Sequence, residues 1–239
     1  MQNKKILWID FKNSHEPLFF KPIVKKFSDY KQIYTHRDHL EVKGLLKKYG
    51  YSSLEVGGRP SGNIIARTFE FVIRVLRLFV TLPRFDIAIH HGSIWASFVS
   101  RMRFSKSICI TDNEIDHSLN SWTFRFSDYL LVPFSISKKE LVVDNINSKR
   151  IFKYKGYKEQ IYISDYKPDS TFLNDIPFNN YVVIRPEAMD AVYVTETKSL
   201  VPELIETFSS EGFNIVFLPR NNDYESYGKM DNVFIPNSP

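Results

Sequence analysis

Short apolar runs alternate along the chain with longer segments whose apolar positions recur every three or four residues. The runs Ile6–Asp10, Gln32–His36, Ser53–Val56, Phe85–His90, Ser107–Thr111 and Tyr129–Pro133 have the length and the β-branched and aromatic content of buried strands. Between them, Pro17–Tyr30, Leu40–Tyr49, Asn63–Pro83 and Ile94–Met102 carry helical spacing. Strands separated by helices imply right-handed crossovers, so this order predicts an α/β fold with a doubly wound parallel sheet.

After a connecting stretch the pattern restarts with strand Tyr181–Arg185, helix Leu200–Ser210, strand Asn214–Arg220, a short helix near Tyr224–Lys229 and strand Val233–Pro236. The organisation expected is an N-terminal lobe at 1–150, a connecting segment at 151–178 and a partial C-terminal lobe at 179–239. Three strands make about half of a second doubly wound domain, and the closing PNSP reads as a loop about to continue, so the second lobe is expected to be truncated.

Composition sharpens this picture in three ways. With 43% hydrophobic and 15% aromatic residues, the 239-residue chain has the material for a sizeable core. Lys4-Lys5 is followed by too short an apolar run for a secretory leader, which predicts a cytoplasmic protein. The single cysteine, Cys109, excludes disulfides and cysteine-rich metal sites and is expected as a buried thiol. Charge is split: residues 1–150 hold 24 Lys and Arg against 14 Asp and Glu, whereas 151–239 hold 8 against 13. The first region therefore suits an anionic partner such as a nucleotide, a phosphorylated sugar or a lipid face. No nucleic-acid-binding motif is present and the basic residues are dispersed, so nucleic acid is not expected as a partner.

Candidate chemistry clusters at predicted strand ends, where open α/β sheets bind ligands. Asn13-Ser14-His15-Glu16 follows the first strand, and Pro17 suits the first position of a helix capped by Glu16, leaving His15 and Glu16 on a loop free to meet a ligand. No glycine-rich phosphate fingerprint accompanies it; plain capping by Ser14 or Glu16 explains the residues equally. His90-His91-Gly92-Ser93 ends a second strand: adjacent histidines on a strand point to opposite faces, so no metal is expected, and His91-Gly92-Ser93 reads as a ligand-facing turn with Ser93 capping the next helix. Asp112-Asn113 brings a carboxylate to the same edge, where turn chemistry alone would also place it. Arg185 and Arg220 each close a strand of the second region and suit a phosphate or carboxylate in a cleft.

The segment 63–84 is apolar apart from Arg67, Glu70, Arg74, Arg77, Thr81 and Arg84, which share one stripe. The arginines rule out a membrane span. Such a helix is either packed on two sides or lies in an anionic membrane surface with its arginines at headgroup level.

Several of these stretches together resemble the prokaryotic family called domain of unknown function number 354. They are Asp10-Phe11-x-Asn13-Ser14 with Phe19-Phe20-Lys21-Pro22, His91-Gly92-Ser93, Lys153-Tyr154-x-Gly156-Tyr157-Lys158-Glu159, Tyr162-x-Ser164-Asp165-Tyr166-x-Pro168-Asp169, Ile184-Arg185-Pro186-Glu187-Ala188 and Phe217-Leu218-Pro219-Arg220. That family resembles in turn the two-lobed GT-B glycosyltransferases and the non-hydrolysing UDP-N-acetylglucosamine 2-epimerases. The resemblance implies two Rossmann-like lobes, a UDP-sugar or other nucleotide sugar as substrate, and no covalently bound cofactor. Family members read Asn-Ser-Pro-His where this chain reads Asn13-Ser14-His15-Glu16, so either His15 or Glu16 stands as the general base. The expected reaction is glycosyl transfer in surface-polysaccharide or glycolipid synthesis, without a metal. Asn13, Ser14, His91, Gly92, Ser93, Asp112 and Asn113 would line the acceptor site, with Arg185 and Arg220 on the diphosphate. A nucleotide-sugar 2-epimerase and a non-catalytic membrane-docking module are the alternatives.

Overall fold

The computed structural model describes residues 4–38, 41–58, 63–112, 117–137, 141, 146–164, 166–168, 170–187, 189, 198–219 and 227–236. Two compact units divide them, Met1–Tyr166 and Lys167–Pro239.

The first unit is a parallel sheet of strands β1 (Ile6–Phe11), β2 (Lys31–His36), β3 (Leu54–Glu55), β4 (Ile87–His91), β5 (Lys106–Ile110), β6 (Tyr129–Pro133) and β7 (Ile151–Tyr154). Their order is β3-β2-β1-β4-β5-β6-β7. The order turns back between β1 and β4, which pair directly from Leu7 opposite Ile87 to Ile9 opposite Ile89. Loops leaving the carboxyl ends of these two strands diverge and open a crevice there, the usual ligand position in such sheets.

Alternation along β1 sorts the two faces. Leu7, Ile9 and Phe11 pack with Phe19 and Phe20 of α1 (Glu16–Lys26) and with Val42 and Leu46 of α2 (Val42–Lys48). Trp8 faces the other way, onto Val75, Leu78 and Leu82 along α3 (Ile64–Thr81) and its exit, and onto Ala96 and Val99 of α4 (Ile94–Met102). Asn63 caps α3 by accepting from the Ala66 N–H at 3.0 Å. The helix is shorter than the 63–84 span expected: Leu82 is already extended, as a residue before proline prefers. Cys109 is fully buried and its thiol is pushed up to about 12 by burial.

Three elements went unread in the sequence. Helix α5 (His117–Phe126) is rich in serine and asparagine, which mimic a turn, yet Phe124 anchors it in the core. β7 is paired along its whole length with β6. Helix α6 (Gln160–Ile163) follows it and contributes Ile161 and Tyr162 to the α1 side of the core.

In the second unit β8 (Val182–Ile184), β9 (Ile215–Phe217) and β10 (Val233–Phe234) form a parallel sheet in the order β10-β9-β8. Helix α7 (Val201–Ser210) packs Val201 and Ile205 on Ile184, Ile215 and Phe217. Its amino end is held by Glu187, which accepts from the Leu200 N–H at 2.6 Å and from Ser199 Oγ at 2.8 Å.

Candidate active site

β1 and β4 deliver their last residues to the crevice on opposite faces. On the α3 side, Asp10 is buried and chelated by Arg74, Nη1 to Oδ2 at 3.1 Å and Nη2 to Oδ1 at 2.8 Å. Thr35 and Ser93 hydroxyls each donate to the same carboxylate at 2.7 Å. Burial opposes the Asp10 charge, but Arg74 and these hydroxyls hold its pKa below the usual carboxylate range. Ser93 also caps α4 through the Ala96 N–H. His90 lies on this face, with Nδ1 accepting from the Ser93 N–H and Nε2 beside Ser97 Oγ. Ser93 is thereby committed beneath the crevice rather than to its mouth.

His91 points to the α1 face. Its Nε2 lies 3.0 Å from Asp112 Oδ1, and Lys158 Nζ stands 2.5 Å from the other Asp112 oxygen. Burial works against the Asp112 charge, yet the hydrogen bonds from His91 and Lys158 win and keep it well below the usual range. An ionised acceptor there fixes the ring proton of His91 on Nε2 and leaves Nδ1 bare. That Nδ1 is buried without a hydrogen-bond partner, 3.8 Å from Glu16 Oε1. Burial lowers the basicity of His91, so the ring is neutral at pH 7.

Glu16 is the first residue of α1 rather than a loop residue, and it is fully buried. The Lys12 N–H donates to its Oε2 at 2.6 Å and Asn13 Nδ2 to its Oε1 at 3.3 Å. Burial weakens it as an acid, raising its pKa to about 8, which favours the protonated carboxyl at pH 7. His15 precedes it, edge-on to His91 with ring centres 5.1 Å apart. Burial, assisted by His91 and Lys158, lowers His15 to about 3, and its Nε2 is a second buried nitrogen without a partner. Lys12 completes the floor by donating to the Gly92 carbonyl at 2.9 Å; Gly92 has φ +59°, and a Cβ there would stand 3.2 Å from that ammonium.

The structure thus brings together Asn13, His15, Glu16, His91, Gly92 and Asp112, and adds Lys12 and Lys158. Lys158 sits in the Lys153–Glu159 stretch already distinctive in the sequence, which was the available signal. Ser14 instead hydrogen-bonds Glu41 at the surface. Arg185 is an exposed residue directly after β8 in the second unit, and Asn113 and Arg220 lie outside the described residues. His15, Glu16 and His91 each offer one ligand atom, all within 4.8 Å of one another. A dication there would have to displace the Glu16 proton beside two lysines, so the set is better suited to moving protons.

These shifts make folding pH-dependent. His15, His36, His90 and His91 all have lowered basicity, so each binds its proton more readily unfolded. Their contribution is complete above about pH 6.5 and is lost as pH falls towards the folded values. Glu16 acts oppositely: with its folded value raised to about 8, stability declines from the ordinary carboxylate range up to that pH. The urea midpoint of the full chain is expected to drop steeply from pH 6.5 to 4.5. Between pH 6.5 and 8 it should sag in the native chain and stay level in Glu16→Gln; parallel curves there would contradict a protonated Glu16.

A family profile described as "Protein of unknown function (DUF354)" matches residues 5–239. No curated protein matches the chain. Among solved structures, a candidate UDP-N-acetylglucosamine 2-epimerase from Listeria monocytogenes superposes with a TM-score of 0.69 at 13% identity, over 97% of this chain and 68% of its own. UDP-N-acetylglucosamine 2-epimerase from Rickettsia bellii gives 0.67 at 14%, over 98% and 68%. Anabaena Alr3699/HepE, solved with UDP and glucose, gives 0.58 at 12%, over 97% and 68%. At these identities the likeness establishes the fold: two GT-B-like, Rossmann-type α/β lobes.

Proposed function

The chain belongs to the family of proteins of unknown function DUF354, and from that premise we propose that it is a nucleotide-sugar enzyme whose leading reaction is glycosyl transfer in surface-polysaccharide or glycolipid synthesis. The observation that carries this reading is the Asp112–His91 pair, a neutral imidazole with its proton fixed on one nitrogen and a bare nitrogen on the other, at the crevice between β1 and β4. In the reaction an acceptor hydroxyl passes its proton to His91 Nδ1 while its oxygen attacks the anomeric carbon and the nucleoside diphosphate departs. His15 supplies a second neutral base beside it, and Asn13 and Gly92 belong to the loops that hold the acceptor. From the sequence resemblance alone, Arg185 and Arg220 of the second unit are assigned to the diphosphate of the nucleotide sugar. The enzyme works in the cytoplasm, on a nucleotide sugar and not on nucleic acid. Neighbouring folds solved with UDP or UDP-N-acetylglucosamine support the choice of substrate class.

A second reading, 2-epimerisation, is favoured by the protonated Glu16 lying 3.8 Å from the bare His91 nitrogen. Epimerisation removes one proton and returns another, and groups with acidities pushed apart suit that task. Incubating the full chain with UDP-N-acetylglucosamine in deuterated water separates the two. Release of UDP without deuterium in the sugar, stimulated by a saccharide or lipid acceptor, is the expected outcome; deuterium at C2 without an acceptor would establish the epimerase instead. Neither event with any UDP-sugar would remove both.

A further inference from the structure

Helix α3 turns only part of its surface inward. Ile65, Phe69, Val72, Leu76 and Val80 fall on one stripe and are 45 to 78% exposed, while Arg74, Val75, Leu78 and Leu82 face the sheet. The arginine stripe read in the sequence is therefore split: Arg74 is buried on Asp10, and Arg67 and Arg77 remain at the surface. An apolar stripe of this length on an 18-residue helix is unusual for a free surface.

Beside the stripe lies a cavity of about 200 Å³ whose walls include Arg37, Arg67, Glu70, Arg77 and Trp95. Arg37 and Arg74 both lie over the Trp95 ring, at 5.2 and 4.6 Å. Three polar atoms on this wall are buried with no hydrogen-bond partner: Arg37 Nε, Trp95 Nε1 and Glu70 Oε2. Two donors and one acceptor left unpaired in one cavity ask for a ligand that carries both an anionic oxygen and a donor group. Since Arg74 is neutralised by Asp10, Arg37, Arg67 and Arg77 face Glu70 with an excess of positive charge. Further cations stand past the carboxyl end of the same helix, where Lys4, Lys5, Lys31 and Arg84 line a depression of about 790 Å³.

We infer that α3 docks this protein on an anionic lipid bilayer, with the apolar stripe entering the acyl boundary and the arginine cavity holding one lipid phosphate headgroup. The charge on both flanks selects a negative surface, and the arginine geometry selects phosphate. Arg37 and Arg77 act on the headgroup oxygens, the Trp95 N–H donates to them, and Glu70 accepts from a headgroup hydroxyl. No helix among the described residues is long and apolar enough to cross a membrane, so the attachment is in-plane. The cavity borders the crevice through Arg74, which lines it and chelates Asp10, but the inference rests on the stripe and the surface arginines and does not depend on the reaction assigned to His91.

The test is flotation of the full chain with vesicles of phosphatidylcholine alone and of phosphatidylcholine with phosphatidylglycerol, alongside light scattering for oligomeric state. Flotation with the anionic vesicles only, weakened by salt, is expected. Val72→Asp with Leu76→Asp should abolish it, and Arg67→Glu with Arg77→Glu should weaken it at least tenfold. Circular dichroism and melting temperature should stay unchanged, because all four residues are exposed. Failure to float with either vesicle overturns the inference, as does flotation that survives the stripe variant. A dimer in solution that Val72→Asp with Leu76→Asp dissolves would assign the stripe to a second copy of the chain, and would overturn it too.

Discussion

Replacing His91 with glutamine is expected to lower kcat on the nucleotide sugar by roughly 10²- to 10⁴-fold, the usual contribution of a positioned general base. Glutamine keeps a donor for Asp112 but presents no basic nitrogen where Nδ1 stood, so the buried frame around Lys158 survives while proton removal does not. Asp112→Asn should also be costly, because the amide no longer dictates which ring nitrogen holds the proton. Glu16→Gln discriminates between the two reactions. It preserves the fold and the base, so transfer should continue near its normal rate, whereas epimerisation should fail for want of the returning proton. These rates, measured with melting temperatures on the same samples, check the assignment. Near-native turnover by His91→Gln in a folded protein would remove His91 from the chemistry.

The second large effect concerns stability. Arg74→Met is expected to destabilise the first unit by about 3–5 kcal/mol, the penalty for leaving a buried carboxylate without its cation. Asp10 would keep only the Thr35 and Ser93 hydroxyls, at a position 1% exposed to solvent. Asp10→Asn combined with Arg74→Met should recover much of the loss, since no charge then remains buried. The sign of the pH effect follows. In the native chain Asp10 adds stability that is present above the ordinary carboxylate range and is lost as pH falls through its lowered value. Without Arg74, burial raises that value, and the variant improves relative to native as the solution is acidified. Denaturant curves at pH 7 and pH 5 should show the gap narrowing; a gap independent of pH would mean Arg74 acts through packing on Trp95 alone.

Much of the fold was legible because its central strands, β1 and β4 above all, are buried on both faces and read as continuous apolar runs. β1, β2, β5 and β6 fall within a residue of their expected bounds. Phe85 marks a limit of that reading: its apolar character extended a strand that begins only at Ile87, while Phe85 packs on Trp8 with ring centres 4.9 Å apart. The site was legible as three loops at one sheet edge, but not as chemistry. Glu16 looked like a solvated cap because Pro17 follows it, and only the packing of Phe19 and Phe20 beneath shows that the helix carries it into the core. The Lys158–Asp112 contact joins segments far apart in sequence, and Arg74 was one of several arginines at helical spacing, with nothing local to show that it turns inward onto Asp10.

The most direct test of the central claim is nitrogen-15 NMR of imidazole-labelled full chain titrated with UDP-N-acetylglucosamine at pH 7, where ring nitrogens report protonation and tautomer separately. The expected spectrum shows His91 neutral with its proton on Nε2, and His15 and His91 shift on addition of the ligand while His36 and His90 do not. A doubly protonated His91, or no movement of His15 and His91 at saturating nucleotide sugar, would contradict an acid–base site for that substrate at the β1–β4 crevice.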